Sequence, residues 1–242
     1  MANEPGFGRA LPAVDYDVAI EVAGHEALIR QTYKDSVGVL TWDVGMTNAT
    51  GHTVERYIGK PASLQHCMNI YAWALGNYAA GVRRAFAGNT LTKAQFAAAL
   101  SFHWNTGKIE EASWVKLWKA GDIAGAKKAI MNWVTPKEIT GRREKERDLF
   151  FDGVWSNDGR MIEYTKLTKK MTPVWSSAIK IDVSAELRAA FGQPVKVDLD
   201  VPMQPDAPVT VPTLSPAKIG ADEIRRRLNV VRAELDALEA AL

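Results

Sequence analysis

Between Tyr33 and Lys60 the chain drops the helical spacing that governs most of what surrounds it, and this interruption limits the folds open to it. Before it, residues 16 to 31 read as a helix. Asp15 or Asp17 can cap it, Val18, Val22, Ala23 and Ile29 recur near helical spacing, and His25 and Glu26 lie at its polar end. Inside the interruption, turn-forming Asp35-Ser36-Val37-Gly38 and Asn48-Ala49-Thr50-Gly51 flank Val39-Leu40-Thr41-Trp42 and His52-Thr53-Val54, which predicts a small antiparallel sheet. After Pro61 helical spacing returns until about Trp155. Leu64, Cys67, Met68, Tyr71, Leu75, Tyr78 and Val82 mark one face of a long helix ending near Gly88-Asn89. Thr92 and Gln95 form a capping box for the next helix, which carries Phe96, Leu100 and Trp104. Up to about residue 155, strands confined to one stretch and helices elsewhere predict an α+β fold. Six of the eight tryptophans precede residue 135, which assigns them to core packing.

Beyond residue 156 the character changes. Residues 177 to 183 and 195 to 201 alternate apolar with charged positions, the period of a strand. Six of the eleven prolines fall between 194 and 216, as in an extended linker. Ile224, Leu228, Val231, Leu235, Leu238 and Leu242 then recur at heptad spacing, with charges on the other faces. The expected organisation is a first domain over 1–157, a mixed extension with a short strand over 158–192, a proline-rich linker over 193–219 and an amphipathic heptad helix over 220–242. That helix is marginal alone in water, so residues 221–242 are expected to cover their stripe by fold-back, by self-association or on a partner protein.

Several chemistries are excluded. His25-Glu26 opens like a zinc metallopeptidase motif, but Ile29 stands where the second ligand belongs, and the histidines at 25, 52, 66 and 103 show no ligand spacing. Cys67 is the only cysteine, so neither an internal disulfide nor a thiolate cluster can form. No glycine-rich phosphate loop is present, so neither cofactor nor metal is expected. Arg225, Arg226 and Arg227 are balanced by acids on the same helix, and a formal net charge of +2 gives no reason to expect nucleic acid. No stretch approaches the ~18 apolar residues of a membrane helix, and no signal peptide is visible at the start.

What remains are Glu26 and Asp35, nine positions apart, with Thr41 on the next strand. Glycosidic cleavage needs one carboxylic acid to protonate the leaving oxygen and a second carboxylate to activate water or steady an oxocarbenium-like centre. By itself the pair is a weak sign, because surface acids are common.

The surrounding residues add to it. His25-Glu26-Ala27-Leu28, Tyr33-Lys34-Asp35-Ser36-Val37-Gly38-Val39, Thr41, Gly45 and Thr47 resemble the phage-type lysozymes of glycoside hydrolase family 24, with their Glu, Asp, Thr set at matching spacing. Residues 97–107 (AAALSFHWNTG), 118–122 (WKAGD) and 141–147 (GRREKER) resemble later blocks of the same family, in order. The resemblance spans about residues 16 to 155. It implies a lysozyme-like α+β fold, with a sheet lobe and a helical lobe enclosing a cleft, and hydrolysis of the β-1,4 bond between N-acetylmuramic acid and N-acetylglucosamine in peptidoglycan. Glu26 would be the general acid, while Asp35 and the Thr41 hydroxyl would hold water or steady the cationic sugar. Asn105, Arg142 and Arg143 are candidate substrate contacts, set against helix termination for the first and a solvated, salt-bridged helix start for the two arginines. Three positions depart from the family pattern: Ala27 and Asp43 replace glycines, and Met46 replaces a histidine. Asp43 and Met46 are expected beside the cleft. The resemblance further implies a protein made in the host cytoplasm and acting on the wall after holin-type release, or carried in a virion. The rival reading is a virion or tail component that binds peptidoglycan without cleaving it, joined to a phage structural protein or to further copies of itself through residues 221–242.

Overall fold

Helix α1 (Tyr16–Ala23) begins where the Asp15 carboxylate accepts a hydrogen bond from the Val18 N–H at 3.1 Å. It is shorter than its sequence pattern predicts. The chain leaves the helix at Gly24, and the β-branched and aromatic residues that follow extend instead as strand β1 (Ala27–Lys34). His25 and Glu26 therefore lie in the connection between α1 and β1 rather than on a helix. The computed structural model describes residues 12–192. The alternating stretch 195–201, the whole proline-rich linker and the heptad helix lie outside the described residues.

A bulged antiparallel pairing sets β1 against β2 (Leu40–Asp43), with Tyr33 opposite Thr41 and Lys34 opposite Leu40. The second expected strand does not form. Residues Val54–Tyr57 make a 3₁₀ turn, started by the Asn48 side chain accepting from the Val54 N–H, and Val54 goes into the core. The sheet gains instead β3 (Arg160–Tyr164), parallel to β1, and β4 (Ala178–Asp182), antiparallel to β3. Its order is β2-β1-β3-β4, so it is mixed rather than purely antiparallel.

Helix α2 (Leu64–Ala85) buries Cys67, Met68, Tyr71, Leu75, Ala79 and Val82 along one face. Burial of each large member contributes roughly 1.5–3 kcal/mol. The expected Thr92–Gln95 capping box opens α3 (Lys93–Thr106), which is buried from Phe96 to His103. Two short helices follow, α4 (Ser113–Lys119) and α5 (Ile123–Ala129). Helix α6 (Thr140–Asp152) then packs along α3. Phe86, Phe102, Trp114, Trp118, Trp133 and Phe150 meet edge-on or tilted at the centre of this helical part, so these tryptophans do pack the core.

The segment after residue 157 belongs to the same core. Met161, Val183 and Leu187 are buried, and α7 (Ser184–Gly192) packs against α2 and α1. Glu21, buried on α1, accepts hydrogen bonds from the Ser156 hydroxyl at 2.6 Å and from the Ser156 and Asn157 backbone N–H groups at 3.0 Å. Among the described residues no helix is long and apolar enough to cross a membrane.

Candidate active site

Glu26 is held from behind by helix α6. The Arg142 Nη1 donates to its Oε1 at 2.5 Å, with the arginine side chain 9% and the glutamate side chain 18% exposed. Arg142 is also held by Glu146, whose Oε1 accepts from Nε at 2.8 Å, and by Ser101, whose carbonyl accepts from Nη2 at 3.0 Å. The Ser101 hydroxyl in turn donates to Glu146 at 2.6 Å. A further Nη1 contact reaches the His25 carbonyl at 3.4 Å, and Nη2 also meets the Ser101 hydroxyl at 3.2 Å. All five guanidinium N–H groups thus point at protein acceptors. Its donors are thus used within the protein, and Arg142 is a salt-bridged helix start that is buried rather than solvated.

Arg143 is fully buried one residue on. It pairs with Glu146, lies over the Phe102 ring at 4.5 Å and donates to the Asn105 Oδ1 at 2.7 Å. Asn105 is exposed at the end of α3, with its Oδ1 occupied and no hydrogen bond from its Nδ2 to the described residues. Two carboxylates and two guanidiniums therefore form one buried ionic cluster, with Glu26 at its outer end. Burial raises the Glu26 carboxyl above its ordinary range, and the Arg142 charge opposes that shift. Burial prevails because Arg142 is shared with Glu146, whose negative charge also raises the Glu26 carboxyl.

Asp35 lies at the far end of β1, in the turn to β2. Its Oδ1 accepts from the Val37 N–H at 2.9 Å and the Val39 N–H at 2.8 Å, and the side chain is partly exposed. Thr41 is 3% exposed, and its hydroxyl donates to the Val39 carbonyl at 3.1 Å, leaving the oxygen as an acceptor. Asp35 and Thr41 are thus tied to one turn through Val39, whereas Glu26 stands at the opposite end of the strand. Tyr33 links the two ends electrostatically. Its buried hydroxyl feels the negative charges of both Asp35 and Glu26, and burial together with these charges raises it above the ordinary phenol range.

The two departures expected beside the cleft prove to be interior. Met46 is fully buried and closes a tight hairpin onto Trp42 through paired backbone hydrogen bonds of 2.8 and 2.9 Å. Asp43 is also fully buried, neither carboxyl oxygen makes a well-formed hydrogen bond, and its φ is +57°, a conformation that favours glycine. Burial drives its carboxyl well above the ordinary range, with only the weak thiol donor of Cys67 to oppose the shift.

Sequence reasoning gave no role to Tyr33, Ser101 or Glu146. A signal was present for Glu146, which lies three and four residues after Arg143 and Arg142, the spacing at which helical charges meet. Tyr57 bridges the rings of His52 and His66 at 2.8 and 2.7 Å, away from this cluster in sequence. Among the described residues no group of three or more His, Cys, Asp or Glu is arranged to hold a metal ion.

The phage lysozyme family model matches residues 23–146. No curated protein matches the chain. An endolysin from the Escherichia coli O157:H7 phage FAHEc1 is similar in structure, with a TM-score of 0.52 and 23% identity over 62% of this chain and 99% of that one. The muramidase domain of SpmX from Asticaccaulis excentricus aligns with a TM-score of 0.49 and 19% identity, over 57% of this chain and 97% of that one. The first of these likenesses establishes a lysozyme-like fold.

Proposed function

Because the chain belongs to the phage lysozyme family, we propose that it hydrolyses peptidoglycan at the β-1,4 bond between N-acetylmuramic acid and N-acetylglucosamine, with Glu26 as the general acid. The observation that carries this reading is the largely buried Glu26 carboxyl, raised by burial and held at one point by Arg142. A general acid must keep its proton until the leaving oxygen is in place, and a raised carboxyl does so nearer to neutral pH. Once the proton is transferred, the Arg142 guanidinium 2.5 Å away stabilises the carboxylate that results.

Asp35 is the second carboxylate. The two backbone N–H groups on Oδ1 fix its orientation and leave Oδ2 for a water or for the cationic sugar. Thr41, its proton committed to Val39, accepts a hydrogen bond from that water. Asn105 offers its amide N–H groups to a sugar carbonyl. The reaction serves phage lysis or entry.

The test compares wild type with Glu26→Gln in a turbidity assay on purified peptidoglycan, with circular dichroism to verify folding. Removing the transferable proton is expected to cost about 10²–10⁴-fold in rate. Near wild-type lysis by the folded variant would remove Glu26 from the mechanism. Binding without cleavage by both proteins would favour the non-catalytic, wall-binding reading.

A further inference from the structure

Outside the family match, residues 165–177 form a hairpin fastened to β1 at Lys34, the residue before Asp35. The Lys34 N–H donates to the Met171 carbonyl at 2.7 Å, which brings the hairpin tip to the residue preceding the second carboxylate. The tip is firmly built: the Thr168 N–H donates to the Thr172 carbonyl at 2.8 Å, their hydroxyls meet at 2.7 Å, and the Met171 N–H returns to the Thr168 carbonyl at 2.9 Å. The Val174 N–H closes on the Lys166 carbonyl at 3.0 Å, and the Ser177 hydroxyl receives the Lys166 N–H at 3.1 Å.

What this scaffold presents is unusual for a surface hairpin. Trp175 is 63% exposed and stands edge-on to Tyr164 at 5.1 Å, a rigid aromatic plane in solvent. Lys166, Lys169 and Lys170 are exposed along the same hairpin. On the Asp35 turn itself, Val37 and Val39 are 53% and 46% exposed.

We propose that this hairpin is an accessory subsite that receives the peptidoglycan strand where it continues past the Asp35 end of the cleft. The inference rests on the reading of Glu26 and Asp35 given above. The Trp175 ring takes the apolar face of a sugar, and Lys169 and Lys170 pair with carboxylates of the stem peptides. Two features select this occupant. The hairpin is continuous, through Lys34, with the strand bearing the second catalytic carboxylate, and its positive charge complements the polymer's anionic peptides. A rigid exposed aromatic with few rotatable bonds is also the kind of anchor whose truncation carries a large share of binding.

The full-length protein is assayed for reducing-end release from insoluble peptidoglycan, beside Trp175→Ala, Trp175→Phe and the Lys169→Ala/Lys170→Ala pair, with thermal midpoints recorded for each. Trp175→Ala is expected to raise KM about fivefold to tenfold, the effect of truncating a binding anchor, with kcat within about twofold and Trp175→Phe retaining most of the affinity. The lysine pair is expected to raise KM and to flatten its dependence on added salt. On glycan stripped of its stem peptides, the lysine effect should vanish while the Trp175 effect persists. Wild-type KM for both folded variants overturns the subsite. If Trp175→Ala loses its fold, the lysine pair decides alone by its salt dependence. Absence of reducing-end release by wild type would instead overturn the hydrolase reading.

Discussion

Asp43 is the residue at which this chain departs most from local good practice. A carboxyl without a well-formed hydrogen bond is fully buried, in a backbone conformation that a glycine adopts without strain. The unfolded carboxyl releases its proton near 3.8, whereas burial keeps the folded one protonated well above that. Its folded value is raised, so the folded state holds a proton that the unfolded state gives up. Stability is therefore full below pH 3.8 and falls as pH rises toward the folded value. Asp43→Gly relieves both the strain and the desolvated acid. At pH 7 it is expected to stabilise by on the order of 2 kcal/mol. That corresponds to a thermal midpoint about 4–8 °C higher. At pH 4 only the backbone contribution should remain, about 1 kcal/mol. Denaturant unfolding of both proteins at the two pH values checks this, and equal gains would show that the carboxyl is not held as the neutral acid.

At the scale of elements, the site depends on α6 lying across the end of α3 and the α1–β1 connection. Arg142 and Glu146 make that junction ionic and dry. In the hydrolase reading Arg142 acts as a positioning residue, because it touches Glu26 and has no donor available to the sugar. It also lowers the Glu26 carboxyl against the effect of burial. Lysine keeps the charge but cannot fork between two carboxylates. Arg142→Lys should therefore let the Glu26 carboxyl rise further, moving the alkaline limb of the pH–rate profile upward while reducing kcat by about tenfold. A fall in rate at every pH with an unmoved limb would leave Arg142 a purely structural part.

For the molecule as a whole, the core continues past the stretch that resembles the family. Family likeness points to a boundary near 157, but β3 lies against β1, and Met161, Val183 and Leu187 are buried in the shared core. Deleting one large core side chain costs about 2–5 kcal/mol. Losing three would exceed much of the 5–15 kcal/mol typical of a domain. A chain ending at Asn157 is thus expected to be insoluble or unfolded, and one ending at Gly192 to keep its fold and activity. Cooperative thermal unfolding of the shorter chain would show that residues 158–192 are an addition rather than a part.

Some of this was decided by sequence alone because the signals are local. The Thr92–Gln95 box is readable because a cap bonds backbone three residues away, and the α2 face because helical period repeats over six turns. The candidate acids were legible through their spacing, Glu26 to Asp35 to Thr41, beside residues resembling one family. Other features needed the tertiary structure. Apolar spacing predicts helix over residues 24–31 because it cannot separate a short buried strand from a helix; pairing with Thr41 and Asp43 on one edge and with Ile162 and Glu163 on the other decides for β1. The parallel β1–β3 contact joins residues some 135 positions apart, beyond the reach of any local pattern. The state of Glu26 likewise follows from burial and from Arg142, which arrives 116 residues later in the chain. Charge and spacing name an acid; only the packing around it determines when it gives up its proton.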